Sequence, residues 1–343
     1  MKKVLVTGGC GFIGSWCCES YIKKGWQVTS YDNMTKYELM RTGYNTEKAR
    51  DFNWQYLKNL GVNLVKADIR NKGELFEYAK SSDFIIHTAA QPAVTISMED
   101  LELDFSTNVQ GTLNVLEAAR QFNIPVVSCA TVHVYGNTIN QELKEQERRF
   151  TREPAEIAED YPMVGGILTP LHASKSSADT YVKVYVDTYK AKAASFRLTG
   201  LYGERQLGGE DHGWVANFSI RAILDLPIRI YGTGKQVRDI LYAQDLIEAF
   251  EAFYNNPVPG IYNIGGGSLT SISLLECIDL ISEILGKDLK VEFHPARLGD
   301  LTYFICNIDK AKSFLKWQPK TKPETGVRNL INWIKRNLDL FKK

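Results

Sequence analysis

The residues best suited to chemistry lie near the amino terminus, in Gly8-Gly9-Cys10-Gly11-Phe12-Ile13-Gly14. They follow the short apolar run Lys3-Val4-Leu5-Val6-Thr7 and lead into helix-like sequence as far as Lys24. Glycine adopts positive φ freely and lets the main chain approach a ligand. The open N–H groups of a helix start then bind a pyrophosphate. Gly8, Gly11, Phe12, Ile13 and Gly14 are therefore the expected cradle. An acid follows at the distance such a site needs: Asp32 closes the second apolar run, Trp26 to Tyr31. A carboxylate there accepts hydrogen bonds from an adenosine ribose 2′-OH and repels a 2′-phosphate, which predicts NAD over NADP. Asn33, next in the chain, belongs to the same edge.

These residues need a scaffold that presents strand ends side by side, and the chain has the pattern for one. A third strand is expected over Val62 to Ala67, ending in Asp68-Ile69-Arg70, where Asp68 and Ile69 would meet the adenine end of a dinucleotide. The continuous apolar run Phe84-Ile85-Ile86-His87 reads as a buried fourth strand. Thr88-Ala89-Ala90-Gln91 follows it, and residues this small let a ligand pass close to the backbone. The expected helices cover Glu47 to Leu60, Lys72 to Lys80, Leu101 to Phe122 and Ser174 to Tyr189, with strands at Ile124 to Ser128 and Ala193 to Leu198. Alternation of this kind implies right-handed βαβ crossovers and a parallel sheet with its ligand site at the strands' carboxyl ends. Asn33 to Asn45 is expected as a long loop. The charged stretch Asn140 to Glu159 is expected as a solvated excursion, with a flap over the site as the sharper alternative.

Composition narrows the function classes. The 343 residues hold 41 basic and 40 acidic side chains, a net charge of +1, so no global field calls for nucleic acid or an anionic membrane. No apolar segment approaches the roughly 20 residues that span a bilayer, and no leader-like h-region opens the chain, which predicts a cytoplasmic protein. The six cysteines show neither CxxC nor a zinc-like spacing with histidine. They read as reduced thiols, and no metal is expected.

With these motifs in place, the chain resembles the extended short-chain dehydrogenase/reductase family of sugar-nucleotide epimerases and dehydratases. The resemblance is carried by Thr7 to Gly14, Asp68-Ile69-Arg70, His87-Thr88-Ala89-Ala90, Asn108-Val109-Gln110-Gly111-Thr112, Val134-Tyr135-Gly136, Arg238-Asp239 and Tyr262-Asn263-Ile264-Gly265. Gln91-Pro92-Ala93, Asp211 to Val215 and Gly234 to Asp239 are similar to the CDP-paratose (CDP-tyvelose) 2-epimerase branch. It implies an α/β fold: a Rossmann-type parallel sheet with helices on both faces over residues 1–200, and a smaller C-terminal substrate lobe over 201–343, with parts of 232–265 returning to the first domain. It also implies tightly held NAD, a nucleoside diphosphate sugar as partner with CDP-linked sugars favoured, and a homodimer built on Leu101–Phe122 and Ser174–Tyr189, with Tyr181, Val182, Val184 and Tyr185 as apolar surface. Asn108, Gln91 and Lys175 join the cofactor set by resemblance. Thr131, Thr199, Trp214, Tyr231, Arg238 and Arg297 form the substrate set, the two arginines being suited to a diphosphate.

The catalytic set departs from the family. Its members use the Tyr of YxxxK as acid/base, with a nearby Ser or Thr on the sugar oxygen. Thr131 and Lys175 are present, but four residues before Lys175 stands Leu171, which has no proton to exchange. His133, two residues after Thr131, and His172, directly after Leu171, are the candidates to replace it, since histidine both takes and gives a proton near neutrality. Dehydratases of the family carry Asp-Glu where this chain has Val132-His133. Gly200 stands where many relatives place an Asn. The resulting readings are an epimerase with an unusual acid/base, a binding protein that has lost turnover, or, less favoured, a lyase. Asp32 and the glycine turn predict tighter binding of NAD(H) than NADP(H); calorimetry on the purified protein checks this, and equal or reversed affinities contradict it.

Overall fold

The computed structural model describes residues 1–35, 39, 42–49, 51–210 and 212–342. Part of the expected loop Asn33 to Asn45, and Asp211, lie outside the described residues. The first half of the chain alternates strand and helix: β1 (Lys3–Thr7), α1 (Phe12–Lys23), β2 (Gln27–Asp32), α2 (Phe52–Asn59), β3 (Asn63–Lys66), α3 (Lys72–Ala79) and β4 (Phe84–His87). After α4 (Val94–Glu99) and α5 (Leu101–Phe105), a π-helical turn over Ser106–Gln110 leads into α6 (Gly111–Gln121) and β5 (Val126–Thr131). A short hairpin, β6 (Lys144–Glu145) with β7 (Phe150–Thr151), precedes α7 (Pro170–Tyr189) and β8 (Ala193–Leu198). Next come β9 (Gly200–Tyr202), α8 (Trp214–Ile223), β10 (Ile228–Tyr231), β11 (Val237–Tyr242), α9 (Ala243–Asn255) and β12 (Gly260–Ile264).

Seven of these strands form one parallel sheet in the order β12-β8-β5-β4-β1-β2-β3. Its central strands are apolar along their length because helices cover both faces. Val4, Val6, Phe84, Ile86 and Phe196 pack towards α1 and α9, while Leu5, Ile85 and Val126 pack towards α6 and α7. β12 returns to this sheet late in the chain by pairing with β8. The lobe beyond has its own core, in which Val215, Phe218, Ile230, Ile278 and Ile331 come together.

The centre of the sheet edge is fixed by a chain of buried hydrogen bonds. The Thr7 hydroxyl donates to His87 Nδ1 (2.7 Å), His87 Nε2–H donates to Thr112 Oγ1 (3.0 Å), and the Thr112 hydroxyl donates to the Asn108 carbonyl (2.6 Å). With the imidazole neutral, every donor in this chain has one acceptor. Burial, with the charge of Lys175 adding to it, pushes His87 down to about 3. The ends of β1 and β4 are thereby tied to the start of α6.

Several boundaries differ from the sequence expectation. Helix α2 begins at Phe52 rather than Glu47. Strand β5 runs from Val126 to Thr131, so Thr131 ends the strand. α7 starts four residues before Ser174 because Pro170 occupies its first turn, where a missing N–H does no harm. The long helix expected over Leu101–Phe122 is broken by the π turn. Val182 and Tyr185 face inward, 0% and 6% exposed, the tyrosine hydroxyl donating to Glu117. Of the four residues expected on an outer face, Tyr181 and Val184 remain there. The stretch 140–159 is tied down at its carboxyl end, where Ile157 is buried and Glu159 accepts a hydrogen bond from the Asn263 N–H (2.7 Å).

Candidate active site

A single cavity of about 830 Å³ follows the carboxyl edge of the sheet into the C-terminal lobe. At one end lies the glycine turn. Gly8 has φ +68°, and a Cβ there would lie 2.7 Å from the Ala89 main chain; a Cβ on Gly14 would lie 2.1 Å from the Gly8 carbonyl oxygen. Only glycine lets strand, turn and helix approach this closely. No side chain caps α1 and no acid stands in its first turn, so the helix start that Phe12 and Ile13 bring to the cavity is open to an anion. Asp32 ends β2, where its carboxylate accepts from the Cys10 N–H (2.9 Å) and the Met34 N–H (2.7 Å). That fixes the orientation of the carboxylate at the cavity wall. The residues present thus fit NAD: an open helix start for the pyrophosphate and a held carboxylate for the adenosine ribose.

Most of the expected cofactor residues line this end, namely Gly8, Gly11, Phe12, Ile13, Gly14, Asp32, Asn33, Ile69, Ala89, Ala90 and Gln91. Two act from behind. Asp68 accepts from Asn33 Nδ2 (3.1 Å) and pairs with Arg70 (2.7 Å), and although its partial burial opposes ionisation, the hydrogen bonds from Arg70 and Asn33 bring its carboxyl down to about 2. It orients Asn33 instead of lining the cavity. Asn108, 2% exposed, accepts from the Gln91 N–H (2.9 Å), and its amide nitrogen lies within 3.1 Å of the Gln91 carbonyl and Ser174 Oγ. It braces the loop after β4 against α7.

Thr131, His133, Leu171, His172 and Lys175 meet at the middle of the cavity. Thr131 caps the 3₁₀ turn Val132–Tyr135, its hydroxyl oxygen accepting from the His133 N–H (3.3 Å) and its own proton left for a ligand. α7 brings in the others. Leu171 and Lys175 stand one turn apart on the same face, and the Leu171 side chain, 4% exposed, fills its place with hydrocarbon. His172 stands three residues after Thr169 and completes a capping box: the Thr169 N–H donates to His172 Nδ1 (3.1 Å). Burial pushes His172 down, and burial together with the nearby Arg238 and His172 pushes His133 down to about 3. Both are neutral imidazoles near pH 7. Lys175 is pushed down to about 8, burial outweighing the opposing influence of Cys129 and Asp104. Cys129, in the cavity wall beside it, is raised to about 12 by burial and stays a thiol.

At the far end stand the arginines. Arg238 donates to the Val237 carbonyl (2.8 Å) and lies 3.8 Å from Asp300. Arg297 donates to the Glu210 carbonyl (2.7 Å) and lies 3.8 Å from the centre of the Tyr231 ring. Glu210, which the sequence did not single out, organises this end: its carboxylate accepts from Tyr231 (2.8 Å) and Arg229 (3.0 Å). The missed signal was an acidic pair, Glu210-Asp211, set among glycines in a region that needed a counterion for several arginines. The Thr199 hydroxyl is committed to Asp239, 2.7 Å from Oδ1, so Thr199 shapes the wall with its donor already used. At Gly200 a Cβ would lie 3.3 Å from the Asp239 carbonyl oxygen and 3.7 Å from Trp214 Nε1, so neighbours crowd the place of the absent side chain. Among the described residues there is no cluster of three metal-ligating side chains, and no helix is long and apolar enough to cross a membrane.

A family model described as the NAD dependent epimerase/dehydratase family matches residues 4–265. Similar full-length relatives include the CDP-paratose 2-epimerase of Salmonella typhi, 33% identical over 96% of this chain and 98% of that one. A putative UDP-glucose 4-epimerase of Methanocaldococcus jannaschii is 31% identical over 97% and 99%. Among solved structures, the Thermus thermophilus UDP-glucose 4-epimerase in complex with NAD matches with a TM-score of 0.78 at 31% identity, covering 97% of this chain and 99% of that one. The Bacillus cereus UDP-glucuronic acid 4-epimerase, in complex with UDP-glucuronic acid and NAD, gives 0.81 at 26% identity, covering 98% and 99%.

Lys175 yields a prediction about stability. Its amine is harder to protonate folded than unfolded, so the unfavourable charge is present in full below about pH 8 and is relieved as pH rises towards 10.5. Stability should therefore rise with pH across that window. Lys175→Met should flatten the rise and lift the apoprotein's Tm at pH 7 by a few degrees, as calorimetric scans would show.

Proposed function

The chain belongs to the NAD dependent epimerase/dehydratase family, and from that premise we propose that it epimerises a nucleoside diphosphate sugar through transient oxidation, with CDP-linked sugars the first to test. The observation that carries this reading is that one cavity joins the glycine turn, the Thr131–Lys175 cluster and the arginine end. Gly8 to Gly14 and Asp32 hold NAD, with Asn33, Ile69 and Ala89 to Gln91 along its adenosine side. When bound, NAD supplies an acceptor and donor of hydride. Arg238 and Arg297 hold the diphosphate as guanidinium forks, with Trp214 and Tyr231 beside them. The Thr131 hydroxyl orients the sugar oxygen. Leu171 has no proton to exchange, so His133 and Lys175 take over the proton traffic at that oxygen. On this reading the protein works in the cytoplasm as a homodimer.

The Salmonella relative's name favours a CDP-sugar, and the absence of an acid at Val132 and His133 argues against dehydration. Incubation with CDP, UDP, GDP and dTDP sugars, followed by NMR, should show one sugar converted to an epimer with no net change in NAD. A full panel without conversion would refute the reading. His133→Ala should lower turnover by at least about 10²-fold, the lower end both for a lost acid/base group and for a lost donor to the reacting oxygen, with NAD affinity nearly unchanged.

The dimer rests on exposed apolar side chains along α4, α5 and α7: Met98, Leu101, Phe105, Tyr181 and Val184, of which Phe105 is 60% exposed. An isologous pairing of these faces would cover them. Light scattering at micromolar concentration should give twice the chain mass, and Phe105→Glu with Val184→Glu should reduce it to the monomer.

A further inference from the structure

Two buried imidazole nitrogens beside Leu171 have no partner among the described residues, Nδ1 of His133 and Nε2 of His172. Their rings meet edge to face with centroids 5.5 Å apart and planes at 77°. An unpaired buried polar nitrogen is unfavourable by about 1–3 kcal/mol, and here two of them occur on adjacent rings. They differ in what they can do.

The main chain settles the tautomer of His172. The Thr169 N–H can only donate, and its acceptor is His172 Nδ1 (3.1 Å). The proton of neutral His172 therefore sits on Nε2, and that nitrogen is a donor in want of an acceptor. Thr169 Oγ1, 2.8 Å from Nδ1, reinforces the arrangement. Thr169 is itself 5% exposed and begins α7, so the cap holds the ring as firmly as it holds the helix. Of His133, only Nδ1 is buried without a partner, which leaves Nε2 as the nitrogen facing the cavity. The charged neighbour of His133 is Arg238, which opposes an imidazolium.

We propose that His172, anchored by the Thr169 cap, is a positioning residue whose Nε2–H, unpaired among the described residues, donates to Nδ1 of His133 in the NAD-loaded protein, fixing His133 as a neutral imidazole that presents Nε2–H to the oxygen of the bound sugar. This rests on the epimerase reading and deepens it by dividing the two roles left open there. In that tautomer His133 has no lone pair facing the cavity. The proton leaving the sugar hydroxyl passes to Nζ of Lys175 in the fraction of molecules that hold it as the free amine, a fraction that grows as pH rises through about 8, and the resulting ammonium returns it when the hydroxyl re-forms. His133 Nε2–H meanwhile donates to the same oxygen, supporting the negative charge that gathers there.

The test reads the rings directly. Long-range ¹H–¹⁵N correlation spectra of ¹⁵N-labelled protein with NAD added, from pH 5.5 to 8.5, distinguish the tautomers of all five histidines, each assigned by single substitution. His133 and His172 should both show a protonated Nε2 and an unprotonated Nδ1 at pH 7 and above. In His172→Leu, His133 should lose this single pattern, and turnover of the sugar identified by the panel should fall about tenfold, the scale of one hydrogen bond. His172→Gln, whose side-chain amide can donate in place of Nε2–H, should restore both. A protonated Nδ1 on His133 in the unaltered protein overturns the proposal, as does an unchanged His133 pattern in His172→Leu. The spectrum of the unaltered protein stands even if His172→Leu fails to fold. Failure of the substrate panel would instead strike the epimerase reading and leave the ring assignment to its own result.

Discussion

The guanidinium of Arg197 is the point on which the site's geometry depends. It lies on β8, 4% exposed, and pairs with Asp179 of α7 at 2.8 Å. It also donates to the Tyr135 hydroxyl (2.8 Å) and the Glu159 carbonyl (3.2 Å), while Tyr135 donates to Asn263 of β12 (2.7 Å). One side chain thus ties α7, the turn after β5, the segment leading into α7 and the last strand of the sheet to a common position. A buried pair of this kind contributes little net stability, since desolvation offsets the attraction, but removing one partner is destabilising by about 3–5 kcal/mol. Its role here is placement. The turn carries Thr131 and His133, the helix carries Leu171, His172 and Lys175, and both are referred to the same cation.

The two ends of the cavity are built on different physics. The cofactor end is main chain: glycines that permit close approach, an open helix start, and a carboxylate fixed by N–H groups. The substrate end is side chain: Glu210 gathers Tyr231, Arg229 and, through its carbonyl, Arg297. A main-chain cradle tolerates drift in the surrounding sequence as long as the glycines stay. A side-chain cluster can be retuned one substitution at a time, which suits the part of the molecule that must discriminate among sugars.

This division also governs what could be read from the sequence. The glycine turn, Asp32 and the parallel sheet were legible because each leaves a local trace: a spacing, a terminal acid, a continuous apolar run. Thr131 and Lys175 came from resemblance, and the fold brings both to the cavity. Asp68 and Asn108 had the right address but another task, since nothing in a linear sequence separates a side chain that lines a cavity from one that braces its lining. Val182 and Tyr185 were read as outward-facing although the face of α7 that buries them is set by β8 and α6. Glu210 escaped notice because its partners come from positions 229, 231 and 297. The start of α7 was placed late because a histidine in the capping box departs from the usual Glu or Gln.

The π turn at Ser106–Gln110 has a consequence for how this region can change. It places a wider turn between α5 and α6, and Asn108, the brace between the loop after β4 and α7, sits inside it. A π turn closes its hydrogen bonds one residue later than an α turn, so it takes up one extra residue, and a one-residue deletion within it would yield an unbroken α-helix that lacks the wider turn. Helix content would be conserved while Asn108 lost the turn that presents it to Gln91 and Ser174.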